Sequence, residues 1–68
     1  MVPSQPKEVR MVTTRELSQV IRQYWPRGLF LAKAGRVWIA VDNAAGYAWT
    51  EEFRSKRRAV RWLRGALY

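Results

Sequence analysis

Between Arg36 and Asp42 the apolar residues alternate. Val37, Ile39 and Val41 fall on one side, and Arg36, Trp38, Ala40 and Asp42 on the other. Period two is the mark of a half-buried strand. Further on the period changes. Ala59, Trp62, Leu63, Ala66 and Leu67 recur at i, i+3, i+4, i+7 and i+8, which places them on one stripe of a helix. A chain of 68 residues has a thin core, so the two elements must bury their apolar faces against one another. That pairing of periods predicts an α+β fold.

The rest of the chain fits around it. Residues 1–11 contain two prolines, show no period and predict a flexible N-terminal arm, leaving 12–68 as a single small α+β domain. Thr13 and Glu16 form a T-x-x-E capping box, with Val12 and Leu17 placed as a hydrophobic staple. Leu17, Val20, Ile21 and Tyr24 then make one apolar stripe, and Pro26 stops the helix near Tyr24–Trp25. Tyr24 and Trp25 are assigned to core or edge packing.

Leu29 to Ala34 is a short apolar run between Gly28 and Gly35, and Gly35 can supply the positive φ of a tight hairpin. Asn43-Ala44-Ala45-Gly46 has the composition of a turn. Tyr47 to Phe53 completes the sheet, with Tyr47, Trp49, Glu51 and Phe53 on one face. Burying Glu51 there would be costly, so it belongs at a sheet edge or beside a bulge. The predicted order is α-β-β-β-α, a three-stranded antiparallel meander with two helices packed on one face.

Charge and chemistry narrow the function. The net charge is +8, and residues 54–68 carry six Lys or Arg and no acid. A basic stripe on one element is the electrostatic footprint of a nucleic-acid partner. There is no Cys and no His, which removes thiolate metal sites, disulfides and the commonest general base. The adjacent acids Glu51 and Glu52 point to opposite faces of a strand, no Ser has a base beside it, and the four glycines are isolated. The expectation is a non-enzyme with no cofactor and no metal. With no membrane-span run and no signal-peptide apolar core, the chain is expected to be soluble, intracellular and cytoplasmic.

The first turn of the last helix carries the most pointed functional signal. Ser55 is a plausible N-cap, yet Lys56, Arg57 and Arg58 follow it, where the helix dipole already presents positive charge. A phosphate would turn that repulsion into attraction. The candidate nucleic-acid contacts are Arg54, Lys56, Arg57, Arg58, Arg61 and Arg64, with Tyr68 also on their side of the helix. If both helices cover the Val37/Ile39/Val41 face, Arg36 and Trp38 stand uncovered as secondary contacts able to stack on a base. The alternative is that a helix or a second copy of the protein covers Trp38.

Two families are similar in this region, over roughly residues 36–67. Ser55-Lys56-Arg57-Arg58-Ala59, followed by Ala66-Leu67, resembles the last helix of the double-stranded-RNA-binding domain. That resemblance implies an α-β-β-β-α fold whose Ser-capped basic helix grips phosphates; Lys33-Ala34-Gly35-Arg36 stands where the family has a Gly-Pro loop. The rhythm Trp38…Asp42…Gly46…Trp49-x-x-x-Phe53-x-Ser55-x-x-x-Ala59 resembles the DNA-binding domain of plant ethylene-response factors. That likeness implies a sheet face in the major groove, with Arg36, Trp38 and Thr50 at the DNA.

The leading expectation is therefore a module that grips DNA or RNA by its phosphates. The competing one is a small protein-binding regulator or inhibitor, similar in topology to phage-encoded inhibitors such as anti-CRISPR proteins, using its Arg and Trp surface and able to form a homodimer. A membrane-surface role for the last helix is set aside, because Trp62 and Leu63 are needed in the core.

Overall fold

The computed structural model describes residues 8–65. Six elements follow in order: β1 (Val9–Met11), α1 (Thr14–Gln23), β2 (Leu29–Ala34), β3 (Val37–Asp42), β4 (Trp49–Phe53) and α2 (Lys56–Leu63). They form a mixed α+β domain around one sheet of order β1-β2-β3-β4. The pairs β2–β3 and β3–β4 are antiparallel, as the meander requires.

The fourth strand corrects the predicted architecture. Val9–Met11 belongs to the sheet, paired parallel to β2 with Val9 opposite Leu29 and Met11 opposite Leu31. The Val12 N–H donates to the Leu31 carbonyl and extends the ladder. So the predicted arm gives up residues 9–11; Glu8 precedes the strand outside any element, and residues 1–7 lie outside the described residues. Nothing local marks β1 in the sequence, because a three-residue strand is defined by its partner.

The second correction concerns layers. Helix α1 covers one face of the sheet, where Leu17 and Val20 meet Phe30, Ala32 and Val41. Helix α2 covers the other, where Ala59 and Leu63 meet Leu29, Leu31 and Ala40. The helices therefore flank the sheet instead of sharing a face. Strand β2 explains why: Leu29, Phe30, Leu31 and Ala32 are all buried, so it is apolar on both sides and each side needs a cover.

Local signals position the two helices. Thr13 caps α1: the Glu16 N–H donates to Thr13 Oγ1 at 3.1 Å, and the Thr13 N–H donates to Glu16 Oε1 at 2.9 Å. Val12 packs into the same cluster as Leu17, as the staple predicts. Tyr24 ends the helix in the left-handed region, and Gly35 (φ 64°) turns the β2–β3 hairpin. Tyr24 and Trp25 lie outside the core, with 55% and 63% of their surfaces exposed, which leaves the edge as their place of packing.

The loop end is pinned by Asn43, which is fully buried. Its Nδ2 donates to the Pro26 carbonyl at 2.8 Å, and its Oδ1 accepts from the Ala48 N–H at 3.0 Å. Its backbone also exchanges two hydrogen bonds with Gly28. Asn43 in the predicted turn is thus a buried polar anchor that joins two loops, α1–β2 and β3–β4.

Candidate nucleic-acid interface

Ser55 has an extended backbone and accepts the Arg58 N–H at 3.3 Å, which starts α2. With Ala59 and Leu63 fixed against the sheet, the helical repeat turns Arg57, Arg58 and Arg61 outward. Arg54, in the preceding connection, reaches the same place. Arg54, Ser55, Arg57, Arg58 and Arg61 line a shallow cleft of about 510 Å³. No acid lines it, and the first turn of α2 contains none.

A second cleft of about 290 Å³ adjoins the first, lined by Phe53, Arg58, Arg61 and Trp62. Arg58 and Arg61 are shared by both. The Phe53 and Trp62 rings lie 5.8 Å apart between centroids at an interplanar angle of 50°, within the usual aromatic contact range. Phosphate oxygens suit the first cleft, where guanidinium donors converge. A flat apolar ring suits the wall of the second.

Of the eight sequence candidates, four are brought together: Arg54, Arg57, Arg58 and Arg61. Arg36 is exposed in the β2–β3 turn and lines neither cleft. Arg64 caps the C-terminus of α2 and also lines neither. Tyr68 lies outside the described residues, as do Ala66 and Leu67 of the predicted stripe.

Trp38 corrects the expectation of an uncovered indole. It packs in the cluster under α2 and is only partly exposed. Lys33 Nζ and Lys56 Nζ lie 5.5 and 5.6 Å from its ring centroid, so its π-face already holds two cations. The cause is the layer arrangement, because the face carrying Trp38 and Ala40 is the one α2 covers. Lys56 is thereby drawn to Trp38 and lines neither cleft.

Phe53 and Trp62 line the second cleft and are candidate residues that the sequence did not single out. The available signal was the place of Trp62 at the border of the apolar stripe, beside Arg58 and Arg61. Along β4, Tyr47 and Trp49 form a further exposed pair, 67% and 62% accessible, with centroids 6.1 Å apart. Among the described residues no helix is long and apolar enough to cross a membrane. Set against known proteins, the chain matches no family model, no curated protein and no solved structure.

Proposed function

We propose that this protein is a non-enzymatic nucleic-acid-binding module whose helix α2 grips phosphates. One observation carries the reading: Arg54, Arg57, Arg58 and Arg61 converge on one cleft with no acid in its lining. Four guanidiniums held together without counter-charge repel one another, and a polyanion relieves that repulsion. The cationic first turn of α2 adds to it, since helix dipole and side chains attract the same anion. Contacts of this kind position a backbone and read little sequence.

Fluorescence anisotropy of labelled DNA and RNA at low salt tests the reading. The Arg57→Glu/Arg61→Glu variant is expected to lose roughly 100-fold in affinity, as two charge-assisted contacts are reversed. Unchanged affinity would overturn the proposal. A protein-binding role is the second reading, favoured by Tyr24 and Trp25, which are exposed without lining either cationic cleft. Under it, the parent binds no nucleic acid at low salt, and Trp25→Ala removes a protein partner in a pulldown.

A further inference from the structure

We infer that the strand held by α2 is single-stranded, with its bases turned toward the edge strand β4; this rests on the nucleic-acid reading above. Strand β4 is the last in the sheet. Its register, Phe53 opposite Trp38 and Trp49 opposite Asp42, points Trp49, Glu51 and Phe53 to the side that α2 covers. Two aromatic pairs therefore stand along one edge. Tyr47 with Trp49 is at the start of β4, and Phe53 with Trp62 is at its end. Trp49 and Phe53 are four residue steps apart along extended chain, about 13 Å.

The arginines lie beside this row, and Arg58 and Arg61 touch both the cationic cleft and the Phe53–Trp62 cleft. A groove of guanidiniums flanked by aromatic rings fits a backbone with free bases, because every base has a π-face to stack. A duplex keeps its bases stacked within the helix, leaving these rings no partner. Glu51 sets the orientation. It is exposed on β4 between the two aromatic pairs, so phosphates are repelled from the strand and held at α2. The bases lie across β4, where the Glu51 carboxylate can accept from an exocyclic amino group.

The test compares a labelled single-stranded oligonucleotide with the duplex of the same sequence, against the full chain and three variants. Trp49→Ala and Tyr47→Ala remove exposed rings, and Arg57→Glu strikes the phosphate cleft. The single strand is expected to bind at least 10-fold more tightly than the duplex. Trp49→Ala is expected to lose roughly 10-fold on the single strand and little on the duplex, whereas Arg57→Glu weakens both. Equal or tighter duplex binding, or a Trp49→Ala variant with unchanged single-strand affinity, would overturn the inference while the phosphate reading stands. A dimer in solution that Trp49→Ala and Tyr47→Ala convert to monomer, with single-strand affinity intact, would make the row a self-interface and also overturn it. No binding of either probe at low salt would remove the reading beneath it.

Discussion

Asn43 and Glu16 show how single side chains hold this small domain. Asn43→Ala leaves the Pro26 carbonyl and the Ala48 N–H without their partners inside the protein. Each such orphan costs about 1–3 kcal/mol. We expect a loss of about 2–6 kcal/mol by urea denaturation, a large share of what so short a chain can hold. Glu16 acts through charge. Its hydrogen bonds from the Thr13 backbone and then the Thr13 hydroxyl hold its carboxyl below the ordinary value of 4.5. A lowered carboxyl contributes stability that is fully present above the unfolded value and is lost as pH falls through the folded one. The urea midpoint should therefore decline below about pH 4.5 partly through this group, and Glu16→Gln should flatten that part of the decline. A variant whose acid limb matched that of the parent would show that the capping carboxylate adds nothing.

At the scale of elements, α2 joins stability to the proposed binding. Its first turn carries Lys56, Arg57 and Arg58 against the helix dipole. Arg58→Glu would complete a capping box with Ser55 and relieve the dipole, so we expect a gain of about 0.3–1 kcal/mol. The same change removes a guanidinium shared by both clefts and should weaken nucleic-acid binding. Thermal melts and anisotropy on one sample would check both. A variant that binds less and is also less stable would contradict the account of a helix start kept for its ligand. Leu63→Ala, by contrast, removes a buried anchor of α2 and should cost about 2–5 kcal/mol.

The elements also show what was legible in the sequence. The capping box of α1, the Gly35 hairpin and the Ser55 cap depend on neighbours within a few residues, and each is found where its local signal places it. The exposed edge position of Glu51 follows from the cost of burying a carboxylate. Strand β1 and the opposed helices depend on distant partners. The double-sided apolar run of β2 was present in Leu29-Phe30-Leu31-Ala32, but it specifies two covers without naming them. The site divides the same way. The arginines are legible as a helical face, whereas the Phe53–Trp62 wall exists only because α2 crosses β4.

Across the whole molecule, the sheet separates two tasks. One face with α1 carries the capped scaffold, and the other with α2 carries the cationic cleft beside an aromatic edge. A net charge of +8 raises the encounter rate with any polyanion, so affinity at one salt concentration does not distinguish a cleft from a general attraction. The dependence on salt does. The most direct measurement is the slope of log affinity against log salt for a single-stranded oligonucleotide, with the parent and with Arg57→Gln. Four phosphate contacts predict a slope of about −3, and removing one should lower its magnitude by about 0.7. A flat dependence, or an Arg57→Gln slope equal to that of the parent, would contradict the claim that this cleft holds the phosphates.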